Sequence, residues 1–179
     1  MVRFLSFVLA SLLAASMLTG SVAHADGDKL IIELKNGKVV VQLRPDLAPK
    51  TVAQIKTLAN QGFYNGIKFH RVLDDFMAQT GDPTGTGTGG SKLPDLPAEF
   101  TDTQFKRGTV AMARTADPNS ANSQFFICFN SIGCGGLTGQ YTVFGEVVEG
   151  MQFVDLIKRG EPGSGTVTDP DVMVKVYLQ

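Results

Sequence analysis

The chain of 179 residues has no tryptophan, two histidines (His24 and His70) and two cysteines (Cys128 and Cys134). So few soft ligands argue against a zinc site, which takes three or four protein ligands. Because His24 falls in the amino-terminal stretch expected to be removed, a Ser-His-Asp triad would have to be built on His70, which lies on the strand face opposite Arg71, and hydrolase chemistry is disfavoured on that ground. No charge excess of either sign is present, with 16 basic against 17 acidic residues, so no nucleic acid or other polyanion is announced as a partner. Length favours one domain, large enough to bury a core without covalent staples.

Glycine, by contrast, is plentiful, and β-branched runs alternate with Gly/Pro/Asn/Asp turns. That profile favours an all-β barrel or sandwich. Residues 1–25 stand apart. Arg3 gives a short positive start, Phe4 to Leu18 is largely apolar, and Ala23-His24-Ala25 has the small-x-small form cut by signal peptidase. Cleavage is expected between Ala25 and Asp26, which removes His24. There is no twin arginine, and no cysteine follows the apolar run to take a lipid. The alternative is an uncleaved membrane anchor, for which the run is short. General secretory export is the better reading; it implies a periplasmic protein with no membrane partner once the leader is gone.

Along the rest of the chain, Leu30–Leu34 and Val39–Leu43 flank Asn36-Gly37 and predict a hairpin with a type I′ turn. Ala48 to Gln61 predicts a helix, with Pro49 in its first turn, Val52, Ile55, Leu58 and Ala59 on one face and Gly62 at its end. Thr109–Arg114, Ser123–Phe129, Tyr141–Val148 and Val172–Leu178 read as strands. Met151–Lys158 reads as a second short helix with Met151, Val154 and Leu156 or Ile157 turned inward. Gly85-Thr86-Gly87-Thr88-Gly89-Gly90 matches G-x-G-x-x-G formally. A dinucleotide loop must open a helix, though, and Ser91 to Pro97 with its two prolines cannot, so a flexible loop beside a groove is the better reading. For Cys128 and Cys134, a disulfide and two free thiols both fit an oxidising compartment.

The most informative stretch is Phe69 to Asp82. Two short strands, Phe69–Leu73 and Phe76–Thr80, are joined by an acidic turn at Asp74-Asp75. Strand alternation puts Phe69, Arg71 and Leu73 on one face and His70 and Val72 on the other. An arginine in so apolar a run needs an acceptor or a ligand for its five N–H donors. The bland alternatives are a side chain snorkelling to water or paired with a carboxylate. Phe69-His70-Arg71, Phe76-Met77, Gln79 and Gly81-Asp82, followed in order by Ser123-Gln124-Phe125-Phe126-Ile127 and Val143-Phe144-Gly145, resemble the signature of the cyclophilin peptidyl-prolyl isomerases. The resemblance runs from about Lys29 to the C-terminus.

That resemblance implies a closed eight-stranded antiparallel β-barrel capped by two α-helices, with peptidyl-prolyl cis-trans isomerase activity and no cofactor. It makes Arg71, Phe76 and Gln79 the catalytic candidates. Met77, Phe126 and Leu137 would line the proline pocket with Phe76. Gly87 would sit on the groove rim, Gln124 would hold Arg71 or a substrate carbonyl, and main-chain groups of Ala113 and Arg114 would pair with the peptide. His70 receives no catalytic role and is expected to be buried and hydrogen-bonded. Two departures stand out: Gly136 replaces the indole that many members carry before the Leu137 position, and Tyr141 replaces a pocket histidine. Isomerase activity should survive both, whereas cyclosporin binding should be weak. The partners implied are proline-containing, unfolded or nascent exported proteins met by a monomer. A non-catalytic peptide-binding chaperone on the same fold is the alternative; a barrel holding a small apolar ligand is disfavoured because large side chains fill the interior.

Overall fold

A computed structural model of the chain describes residues 28–179; the expected leader, its cleavage point and His24 lie outside the described residues. Eight antiparallel strands form one sheet: β1 (Lys29–Leu34), β2 (Gly37–Leu43), β3 (Arg71–Leu73), β4 (Met77–Thr80), β5 (Thr109–Met112), β6 (Phe125–Cys128), β7 (Val143–Glu149) and β8 (Lys175–Leu178). Their order is β3-β4-β6-β5-β7-β2-β1-β8.

The sheet curls, but its ladder is not the closed barrel expected. β3 and β8 do not pair with each other. The segment between α3 (Met151–Val154) and β8 runs along the β3 edge instead, through the isolated bridges Lys68–Val172 and Arg71–Thr166. Single main-chain bonds such as Val72 N–H to Gly165 O (2.8 Å) and Phe69 N–H to Asp171 O (2.9 Å) tie it down. Its composition explains the interruption. Pro162 and Pro170 lack an N–H, and Gly163, Gly165 and Asp169 adopt positive φ, so no regular ladder can run through them.

Strand alternation sorts the core into two clusters. On β6, Phe125 and Ile127 point into the main core with Leu30, Val41, Val110 and Phe144. Phe126 and Cys128 point the other way, into a smaller cluster with Met77, Phe105, Ala111 and Val143. β6 is thus buried on both faces, as its unbroken run of large residues predicts.

The predicted helix is α1 (Pro49–Asn60), with Thr51, Val52, Ile55, Leu58 and Ala59 buried against the main core. Its end is a Schellman motif: Gly62, at φ 67°, donates to Ala59 O and Phe63 donates to Leu58 O, both at 3.0 Å. Its start is different, because Ala48 has no capping side chain. The Glu99 carboxylate takes over, accepting from the amides of Lys50 (3.0 Å) and Thr51 (2.9 Å) and from the Thr51 hydroxyl (2.7 Å).

Three local expectations are corrected. The β1–β2 turn is Lys35-Asn36, because Leu34 pairs with Gly37. Neither central residue has the positive φ that a type I′ turn needs. Gly37 itself sits at φ 153° against the Phe153 ring, where a Cβ would collide. Two helical capping elements become three α-helices and a 3-10 turn. The unexpected pieces are α2 (Ser131–Cys134), whose first turn is capped by the Asn130 side chain, and η1 (Gly135–Leu137). The second expected helix, α3, stops at Val154 rather than at Lys158; Val154 and, past its end, Ile157 are buried while Leu156 is 58% exposed, which settles the inward choice for Ile157.

Candidate active site

β3 and β4 pair with Arg71 opposite Gln79 and Leu73 opposite Met77; β4 and β6 pair with Gln79 opposite Phe126. This register brings Arg71, Gln79 and Phe126 side by side on the face away from the main core. There they border a cavity of about 120 Å³ lined by Arg71, Phe76, Met77, Gln79, Ala113, Arg114, Phe126, Leu137 and Tyr141. Phe126 is its apolar wall, stacked on Phe105 at a centroid distance of 6.2 Å and met edge-on by Tyr141 at 5.8 Å. Met77 is buried beneath it, and Leu137 is delivered by η1.

Cys128 and Cys134 form a disulfide with Cα atoms 6.2 Å apart. The bond fastens α2 to the strand that carries Phe126, and η1 follows α2 directly. The segment 131–137 therefore reaches the pocket as a tethered wall.

Polar groups above the cavity form one chain of hydrogen bonds. Arg71 donates from a terminal guanidinium nitrogen to Gln79 Oε1 (3.2 Å) and from Nε to Ser164 O (3.3 Å). Gln79 Nε2 donates to Gln124 Oε1 (2.9 Å), and Gln124 Nε2 donates to the carbonyls of Gly87 (3.0 Å) and Gly89 (2.8 Å). Among the described residues, no carboxylate oxygen lies within ion-pair distance of Arg71, although the strand pattern left a paired arginine open. Its charge is held in place by neutral acceptors.

The glycine-rich loop is organised by Asp82, a residue to which sequence reading gave no role. Asp82 is 1% exposed. One carboxylate oxygen accepts from the Thr84 amide (2.7 Å) and hydroxyl (2.8 Å). The other accepts from the amides of Thr86 (3.1 Å), Gly87 (2.7 Å) and Gly89 (3.0 Å). Burial alone would raise its pKa, but the Thr84 hydroxyl and the Gly89, Thr84 and Gly87 amides together hold it well below the ordinary carboxylate range. The signal was present in Asp82-Pro83-Thr84, since an aspartate bonding main chain two residues on is an Asx turn. Gly87, expected on the rim for want of a side chain, also has φ 88°, the left-handed region that favours glycine.

Gly87 and Gln124 border a second, larger cavity of about 480 Å³ that adjoins the first, the two sharing Gln79, Ala113 and Arg114. Every site residue named from the sequence thus borders one cavity or the other. Thr88, Gly90, Asp95 and Asn122 join them on the larger one. Ala113 donates its amide to Gln124 O (2.9 Å), so that donor is not free for a peptide. His70 is buried, as expected, but neither ring nitrogen finds a hydrogen-bond partner among the described residues. Burial lowers its pKa, partly countered by the nearby Asp82 charge, so the neutral ring is favoured. No group of three or more His, Cys, Asp or Glu side chains gathers among the described residues.

An always-charged donor over an apolar pocket, with a groove beside it, suits a proline-containing peptide. Comparison with known proteins agrees. The family described as cyclophilin type peptidyl-prolyl cis-trans isomerase/CLD matches residues 29–178. A probable peptidyl-prolyl cis-trans isomerase of Brucella suis is 49% identical over 98% of both chains. A peptidyl-prolyl cis-trans isomerase of Helicobacter pylori is 40% identical over 73% of this chain and 80% of its own. Among solved structures, a Cryptosporidium parvum cyclophilin type isomerase, crystallised in the presence of the dipeptide Ala-Pro, superposes with a TM-score of 0.77 at 27% identity. That match covers 84% of this chain and 98% of the other. Fold, pocket and sequence converge: the chain belongs to the cyclophilin-type peptidyl-prolyl cis-trans isomerases.

Proposed function

We propose that this isomerase turns Xaa-Pro bonds in exported, folding polypeptides, and that Arg71 is the group that accelerates the rotation. Amide resonance holds the prolyl bond planar behind a barrier of ~18–20 kcal/mol. Uncatalysed isomerisation takes ~10–100 s. As the bond twists, resonance is lost and the proline nitrogen becomes pyramidal with a basic lone pair. A donor that meets this lone pair binds the transition state better than either planar ground state, which is the condition for catalysis. No bond is made or broken, so no general base, nucleophile or cofactor is called for.

One observation carries the assignment: the Arg71 guanidinium is fixed by two neutral acceptors at the edge of a pocket walled by Phe126, Met77 and Leu137. Phe76, Met77, Phe126 and Leu137 would hold the proline ring. Gln79 and Gln124 would keep Arg71 aimed, with Gly87 on the rim and Tyr141 closing the far side. The C. parvum relative crystallised with Ala-Pro supports a proline-containing peptide as ligand here too. Export as a monomer to the periplasm, with residues 1–25 removed, and weak binding of cyclosporin are parts of the same proposal.

The decisive experiment is NMR exchange on an Ala-Pro peptide with wild type and Arg71→Ala side by side. Wild type should broaden the cis and trans signals. Arg71→Ala should lose ~10²–10³ in rate, the ~2.7–4 kcal/mol typical of one preorganised donor. No broadening by wild type rejects turnover in favour of a peptide-binding chaperone; equal broadening by both removes Arg71 from its role. Export is tested by the mass of the protein recovered from the periplasm, which should begin at Asp26.

A further inference from the structure

The junction between the two cavities carries a second fixed positive charge, that of Arg114, a residue that borders both of them. Sequence reading gave that position a main-chain role alone. Its Nε donates to Gln140 O (3.1 Å) and one terminal nitrogen donates to the same oxygen (3.0 Å). The other terminal nitrogen donates to Thr115 O (2.8 Å) and Ala116 O (3.4 Å). The guanidinium also lies over the Tyr141 ring, 4.6 Å from its centroid.

Four of the five N–H donors of an arginine are thus taken up by main-chain carbonyls, and one remains. Among the described residues no carboxylate lies within ion-pair distance of Arg114. Among the described residues, the smaller cavity is therefore bordered by two permanent cations, Arg71 and Arg114, and by no carboxylate. The one acidic residue on the larger cavity, Asp95, is exposed and accepts from Asn122 Nδ2. Its field is screened by water, whereas the half-buried, clamped Arg114 keeps its position without losing side-chain entropy on binding.

We propose that Arg114 is a specificity-determining residue that selects peptides with a carboxylate side chain within two residues of the proline. An extended peptide advances ~3.3 Å per residue, so a side chain one or two positions from a proline seated against Phe126 reaches the shared boundary. The remaining N–H and the uncompensated charge then meet an Asp or Glu side chain, and repel Lys or Arg. This inference rests on the prolyl isomerase reading and adds a charge preference to it.

The test uses the full mature protein and peptides with a neutral Ala-Pro core, placing Glu, Gln or Lys singly at each of the two positions before and after that core. At low salt, Glu should exceed Lys in kcat/KM by about tenfold at one position, with Gln between, as expected of a partly desolvated pair and its like-charge counterpart. Raising NaCl to ~0.5 M should shrink that ratio several-fold. In Arg114→Gln the ratio should fall to about two or less, and in Arg114→Glu it should invert. A wild-type ratio within twofold at every position overturns the proposal. So does a preference for Lys, which would assign the charge selection to Asp95, and so does discrimination that survives Arg114→Gln. Dissociation constants from chemical-shift titration of the same peptides separate the two readings: loss of turnover on the neutral reference peptide speaks against isomerisation, while the Glu-to-Lys ratio of affinities still reports on Arg114.

Discussion

Replacing Asp82 by asparagine should weaken the fold and the active site together, through a residue that borders neither cavity. In the wild-type protein its carboxylate is the common acceptor of four main-chain amides and the Thr84 hydroxyl. Asparagine keeps one oxygen and turns an NH₂ group toward donors. If the oxygen stays with the amides of Thr86, Gly87 and Gly89, those bonds become neutral and about half as strong, while the Thr84 amide loses its acceptor. Three weakened bonds at a few tenths to ~1 kcal/mol each, and one amide orphaned beside water at ~1 kcal/mol, bring the loss to about 3 kcal/mol. For a domain of ~150 residues that is roughly 6–12 °C in Tm. Because the Gly87 and Gly89 carbonyls hold Gln124, which holds Gln79 and then Arg71, kcat/KM should also fall on the order of tenfold.

The pH dependence fixes the sign. The folded Asp82 pKa lies below its unfolded value near ~3.9, so the unfolded chain takes up the proton first. Its stabilisation is complete above the unfolded pKa and disappears as pH falls through the folded one. Urea unfolding of wild type and Asp82→Asn at pH 7 and near pH 2.5 should therefore show a gap that narrows on acidification. A gap under 0.5 kcal/mol at pH 7, or one that does not change with pH, would refute the role given to this carboxylate.

Two further outcomes are expected. Reducing the Cys128–Cys134 bond, which closes a short loop, should cost about 2 kcal/mol of stability by chain entropy and raise KM for Ala-Pro peptides more than it lowers kcat, because Leu137 is then tethered less firmly; calorimetry and steady-state kinetics with and without reductant check both. Gly136→Trp should strengthen cyclosporin binding at least tenfold over a weak wild type, since a Cβ at Gly136 meets nothing within 4 Å; calorimetric titration decides it.

The sequence was most readable where one physical rule dominates. Period-two alternation sets Phe126 on one face of its strand and Phe125 and Ile127 on the other, the family resemblance says which of the two is the pocket face, and the face and end of α1 follow from its apolar spacing and Gly62. Motif order then gathered the pocket residues, since strand register fixes which side chains meet. What stayed hidden depends on groups distant in the chain. The open ladder edge follows from prolines and positive-φ residues in the segment beside β3, and nothing local says which edge that segment will meet. The Arg114 side chain is drawn to the cavity boundary by the Gln140 carbonyl, twenty-six residues on. His70, a residue expected to find a hydrogen-bond partner for its ring, finds none among the described residues, and no pattern of spacing predicts that.

The Glu99 contact at the head of α1 bears on the order of folding. A fragment spanning 48–62 carries a proper stop signal and, at its start, Pro49 but no capping side chain, because the carboxylate that accepts its first amides lies 49 residues beyond Lys50. Glu99 is itself set by its own amide, which donates to the Thr142 hydroxyl at the head of β7. The helix therefore gains its leading end only after the chain beyond residue 142 has been made and docked, a long-range closure that slows folding and leaves an apolar helical face waiting for its sheet.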